Sequence, residues 1–191
     1  MIYLFSVVAL QLAGTAVEAG QPEPSAREKV VGESLDLRGL EWLTAEPDSV
    51  EGVVRLIRWW TDTCPFCENS LPLIEELRKE YCERGLRTVA VYHPKPPRPT
   101  KAQDVIGAAQ RLGYTGAVAR DGDWSVLRKG YLDRGAVPAT SVSFLLDREG
   151  RVRYVHPGPD LWPGRENGAA APRGYLELRE AIERLLAENS E

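Results

Sequence analysis

The sequence predicts an α/β domain, a central mixed β-sheet flanked by helices, and three observations carry that prediction. First, the β-branched and aromatic run over residues 53–60 passes directly into a helical pattern, with Leu71, Ile74, Leu77 and Tyr81 at helical spacing. Second, another apolar run over residues 86–92 follows, and strand–helix–strand in this order implies a right-handed parallel crossover. Third, residues 141–146 and 151–156 flank the turn Asp147-Arg148-Glu149-Gly150 as the arms of a hairpin do, so the sheet also holds antiparallel strands.

In chain order, residues 1–17 carry no charge, and Val17-Glu18-Ala19 precedes Gly20. Residues 1–19 therefore read as a secretory signal peptide or an N-terminal anchor, although no Lys or Arg precedes the apolar core. Residues 20–29, with Pro22 and Pro24, read as a linker, and residues 30–191 as one domain. Within it, residues 30–43 are expected to hold a short strand or hairpin around Ser34-Leu35-Asp36-Leu37, before a turn over residues 45–49. The helix expected from Pro65 ends near Gly85, a residue that terminates helices well. The proline-dense stretch at 93–99 cannot be helix or inner strand. It lies at the carboxyl end of a strand, the edge of an α/β sheet where ligands bind. A helix over 103–112, a short strand at 117–119, a turn at 121–123 and a short helix over 124–132 follow. After the hairpin, residues 157–173 read as an irregular insertion, and 175–186 as a closing amphipathic helix.

Composition narrows the function. The chain has 191 residues, 43% hydrophobic and 27% charged, which suits one domain with a substantial core. A formal net charge of −4 and the lack of a basic run argue against a nucleic-acid partner. With three cysteines, the chain is not a disulfide-stapled scaffold.

Two of those cysteines sit in Cys64-Pro65-Phe66-Cys67, where the strand hands over to the helix. Pro65 suits the first helical position, where its missing N–H costs nothing. The unpaired N–H groups and dipole of a helix start favour negative charge, so Cys64 is placed to react as a thiolate. Cys67, one turn on, is the more buried, resolving thiol. A static disulfide or half of a zinc site would share this spacing. Zinc wants two further ligands, and no second Cys-x-x-Cys is present. Cys82, fifteen residues beyond Cys67, reads as a half-buried helix residue.

The element order and the Cys-Pro-Phe-Cys motif resemble the thioredoxin-like fold. More narrowly they resemble the TlpA-like exported thiol–disulfide oxidoreductases of bacteria. Trp60, Pro72 and Val137-Pro138-Ala139-Thr140 match that family's tryptophan, helix proline and cis-proline loop. The resemblance implies Cys64 as nucleophile and Cys67 as resolving thiol. It also implies that Val137 and Pro138 form a substrate-docking loop, with Trp60 and Phe66 on an apolar rim. It implies no cofactor or metal, partner proteins that carry dithiols or disulfides, a monomer, and membrane attachment only through a retained N-terminal segment. The direction of electron flow stays open. Three positions depart from the pattern. Arg58 stands where thioredoxin keeps a buried acid, Ser70 where TlpA-like chains have Glu, and Thr63 where they have Trp. Glu68 and Asp62 are candidate substitutes for the missing carboxylates. Arg58 is expected to stabilise the Cys64 thiolate. Two alternatives are a peroxiredoxin-type peroxidase, with Thr61-x-x-Cys64 but Ile57 in the proline position, and copper delivery using His93 or His156.

Overall fold

Alternation along one central strand layers the molecule. The computed structural model describes residues 25–46, 52–135, 139–156, 158, 161 and 173–188. Its elements run α1 (Ala26–Val30), β1 (Glu41–Trp42), β2 (Val54–Trp60), α2 (Pro65–Tyr81), β3 (Leu86–Tyr92) and α3 (Ala102–Arg111). They continue with β4 (Ala117–Arg120), α4 (Ser125–Gly130), β5 (Ser143–Leu146), β6 (Val152–His156) and α5 (Arg173–Ala187). The strands form one sheet in the order β1-β4-β3-β2-β5-β6. β2 and β4 run parallel to β3, while β5 pairs antiparallel with β2, β6 with β5 and β1 with β4. The sheet is mixed, as the sequence predicts.

Successive strand residues face opposite sides. Val54, Leu56 and Trp60 of β2 join a core with Leu71, Ile74 and Leu77 of α2 and Leu178 and Ile182 of α5. Ile57 and Trp59 join a second core with Ala26 and Val30 of α1 and Val126 and Leu127 of α4. β2 is thus covered on both faces, which explains its nearly unbroken apolar run. α2 passes into a single 3-10 turn and stops at Gly85, whose φ of 100° lies in the left-handed region that glycine tolerates.

The structure corrects two expectations near the N-terminus. The linker reading of residues 20–29 overruns α1, whose Ala26 is buried. Ser25 and Glu28 close a reciprocal capping box at its start, and a five-residue helix is too short to show periodicity. The strand expected around residues 34–37 is reduced to one bridge, Ser34 to Arg151, and regular pairing begins only at β1. The signal segment at 1–19, Val137 and Pro138, and most of the 157–173 insertion lie outside the described residues. Among the described residues the cis peptide bond is Lys95–Pro96, and no helix is long and apolar enough to cross a membrane.

Candidate active site

Cys64 is the N-cap of α2, in extended backbone conformation (φ −106°, ψ 112°), with Pro65 as the first helical residue. Its side chain makes no capping hydrogen bond, which leaves the sulfur available. Cys67 donates its backbone N–H to the Cys64 carbonyl at 3.0 Å, so the two cysteines lie one turn apart. Cys64 is partly exposed and Cys67 fully buried, and both are free thiols. That asymmetry suits an attacking thiol in front of a resolving one. Burial pushes the Cys67 thiol up, while the Arg58 charge, the Thr61 backbone and the Ser141 hydroxyl pull the other way. Ser141 Oγ lies 3.6 Å from Cys67 Sγ.

Arg58 occupies the α2-facing side of β2, between Leu56 and Trp60, and is completely buried. One terminal nitrogen donates to Ser143 Oγ (3.1 Å) and to the Gly158 carbonyl (3.0 Å). The other donates to Ser70 Oγ at 3.0 Å. Register explains the meeting: Arg58 pairs with Ser143 across β2 and β5, and both point toward α2. Burial pulls the guanidinium down from its ordinary value, and the Cys67 sulfur, then the Cys64 sulfur, act against that. The two positions that depart from the family pattern as acids, 58 and 70, are therefore hydrogen-bonded neighbours beneath the dithiol.

The rim differs from expectation at Trp60. It is fully buried and packs edge-on against Tyr92 with ring centroids 5.2 Å apart, so it supports the site from beneath. Phe66 is the exposed aromatic beside the cysteines, half of its surface open to solvent. Glu68 is exposed and lines a groove of about 190 Å³ with Cys64, Asp62 and Arg111. The proline-dense loop lies beside the residues before Cys64. Thr63 Oγ1 donates to the Lys95 carbonyl at 3.4 Å, and Arg98 holds the Asp62 carboxylate at 2.7 and 2.9 Å. Tyr92 donates to the same carboxylate at 3.0 Å. Although burial works against it, these hydrogen bonds from Arg98 and Tyr92 hold the Asp62 carboxyl below its ordinary value. Asp62 is thus engaged with the loop.

His93 Nε2 meets Thr140 Oγ1 at 3.0 Å, and its ring packs against Trp124. Burial lowers its pKa to about 4, so it is neutral at physiological pH. Among the described residues no group of three or more His, Cys, Asp or Glu could hold a metal ion, so neither histidine joins the cysteines in such a cluster. Thr61 Oγ1 contacts Asp62 and Thr63, each at 3.4 Å. Sequence reasoning missed Ser141 and Ser143. Both lie far along the chain from the motif, and only alternation in the β5 stretch hinted at their facing.

The family model described as Redoxin matches residues 44–171. The chain is 28% identical over 131 residues to thiol-disulfide oxidoreductase ResA of Halalkalibacterium halodurans, covering 69% of this chain and 63% of ResA. It is 26% identical over 141 residues to Protein DipZ of Mycobacterium tuberculosis, covering 69% of this chain and 19% of DipZ. The chain thus spans less than two thirds of the length of these curated relatives. Two solved structures share its fold. A thiol-disulfide isomerase from Corynebacterium glutamicum has a TM-score of 0.56 at 18% identity, over 78% of this chain and 92% of that one. A secreted disulfide oxidoreductase from Mycobacterium tuberculosis gives 0.51 at 16%, over 76% and 93%. At these identities the likeness is one of fold. With its mixed sheet, its helix-capping cysteine and the family match over most of its length, this chain belongs to the Redoxin family and has the thioredoxin-like fold.

Proposed function

We propose that the chain is a thiol–disulfide oxidoreductase acting on partner proteins. The observation that carries this reading is the pair itself: a partly exposed, uncapped Cys64 at the start of α2 and a buried Cys67 one turn behind it. The Cys64 thiolate attacks one sulfur of a partner disulfide and releases the other as a thiolate, which takes up a proton. Cys67 loses its proton and attacks Cys64 Sγ, which frees the second partner sulfur and closes the Cys64–Cys67 disulfide. Two electrons pass to the partner. Run backwards, the same steps oxidise a partner dithiol. Val137, Pro138 and Phe66 form the docking surface in this reading, and the buried Trp60 packs in the core from β2, the strand before the dithiol. No cofactor takes part. The names of ResA and of the structural neighbours support the exchange chemistry, and the secreted neighbour supports an extracytoplasmic setting.

The test is a redox titration of the full chain with Cys82 replaced by Ala, in glutathione buffers, with thiols trapped and counted by mass. A single two-electron transition confined to Cys64 and Cys67 is the expected result. Failure of that disulfide to form at any potential would sink the reading.

A further inference from the structure

The charge of Arg58 acts on the buried Cys67 thiol, and the two residues are bordered by the same stretches of chain. Ser70, which accepts from Arg58 at 3.0 Å, sits one turn beyond Cys67 on α2, and its hydroxyl also donates to the Cys67 carbonyl at 3.4 Å. Ser143, the other hydroxyl bound to Arg58, lies two residues past Ser141, whose oxygen meets Cys67 Sγ. Arg58 and Cys67 therefore share neighbours on α2 and on the β5 segment, and both are fully buried. The sequence expectation pairs Arg58 with Cys64. The geometry directs it first to Cys67.

We propose that Arg58, oriented by Ser70 and Ser143, is a positioning residue that favours the ionised form of the reduced Cys64–Cys67 pair from beneath Cys67 and thereby makes the Cys64–Cys67 disulfide a stronger oxidant. This inference rests on the exchange reading above. A buried thiolate in an apolar site is unfavourable without a compensating charge or hydrogen bond. A guanidinium keeps its charge throughout the accessible pH range, so its effect does not depend on first losing or gaining a proton. It acts on the reduced protein, where a thiolate exists, and has no such partner in the disulfide. Favouring the reduced form of the enzyme raises its potential, as in any dithiol whose reduced state is the more stabilised. The electron balance is unchanged. The enzyme disulfide takes two electrons from a partner dithiol, the partner becomes a disulfide, and of the two partner protons one is retained by the reduced enzyme and the other goes to solvent.

The experiment measures the equilibrium constant for reduction of the Cys64–Cys67 disulfide by glutathione in the full chain carrying Cys82→Ala. Three further variants are compared: Arg58→Leu, Arg58→Lys and Ser70→Glu. The last sets a carboxylate against the guanidinium and needs no loss of the buried arginine. The constant should fall at least tenfold, about 30 mV, in Arg58→Leu and in Ser70→Glu, and stay within about threefold of the parent in Arg58→Lys. Should Arg58→Leu fail to fold by circular dichroism, Ser70→Glu and Arg58→Lys decide the matter. An unchanged constant in Ser70→Glu, or an Arg58→Lys protein whose constant also falls tenfold, would overturn the proposal. A parent protein that forms no Cys64–Cys67 disulfide overturns the exchange reading and this proposal with it, whereas a parent that titrates beside an unaltered Ser70→Glu overturns this proposal alone.

Discussion

Glu75→Gln is expected to loosen the helix that carries the dithiol, in a way that depends on pH. Glu75 lies on α2 with its side chain 4% exposed. Its carboxylate accepts from Arg78 Nε (2.9 Å) and from a terminal Arg78 nitrogen (2.8 Å). It also accepts from the Thr115 N–H (3.1 Å) and hydroxyl (2.8 Å), which ties α2 to the chain between α3 and β4. Burial opposes ionisation, yet these hydrogen bonds from Arg78 and Thr115 win and lower the carboxyl from about 4.5 to about 2. At about 1.4 kcal/mol per unit, the ionised group is worth up to ~3 kcal/mol at neutral pH. Arg78 is 29% exposed, so water screens part of the attraction, and about 2–3 kcal/mol is the working figure. The sign follows from the lowered value. The contribution is complete above the unfolded-state pKa near 4.5 and is lost as pH falls toward 2. Urea unfolding of the parent and Glu75→Gln proteins at pH 7 and pH 3 tests this. The stability gap should be about 2–3 kcal/mol at pH 7 and shrink to roughly 1 kcal/mol at pH 3. A gap that stays constant between the two would refute the electrostatic account and leave only packing.

Three other perturbations probe different parts of the molecule. Asp121 is buried and its carboxylate accepts from the backbone N–H groups of Val126 (3.2 Å) and Leu127 (2.9 Å) and from Trp59 Nε1 (3.2 Å). Asp121→Ala should therefore cost about 2–4 kcal/mol in urea unfolding, and a loss under about 1 kcal/mol would contradict that role. Phe66→Ala removes the exposed aromatic beside the cysteines. It should slow disulfide exchange with a polypeptide substrate about fivefold, roughly 1 kcal/mol of apolar contact, with the redox midpoint unmoved. A shifted midpoint at unchanged rate would remove Phe66 from the docking surface. The Cys82 side chain makes a long contact, from its sulfur to the Lys79 carbonyl at 3.7 Å. Cys82→Ser should leave the titration unchanged and stability within about 0.5 kcal/mol, as read by mass trapping and thermal unfolding.

What the sequence disclosed was local. The dithiol, the proline that starts its helix and the strand before it lie within fifteen residues, so pattern and spacing identify them. The layered fold followed because β2, β3 and β5 carry apolar runs long enough to declare themselves. Trp60 went astray because the resemblance assigned it to a rim. Alternation alone, with Leu56, Arg58 and Trp60 on one face, already placed it over the core beneath α2. Glu75 stands in the acidic pair Glu75-Glu76 and reads as a solvated helix charge, because its partner Thr115 is forty residues away. Nothing near Cys67 in the chain announces Ser141, which is 74 residues distant.

The departures at 58 and 70 show the same limit most clearly. Along the chain they are twelve residues apart and read as two separate losses of a carboxylate. In the fold the guanidinium and the hydroxyl touch, so they make one exchange of a negative for a positive environment around the buried thiol. A serine at 70 suits an arginine at 58, because its hydroxyl accepts a hydrogen bond without cancelling the charge. A glutamate there would pair with the arginine and hold that charge away from the sulfur. An alanine at 70 would remove the hydroxyl that accepts from Arg58. The chemistry of the second thiol thus depends on which two side chains meet across β2 and α2, information that neither position carries alone.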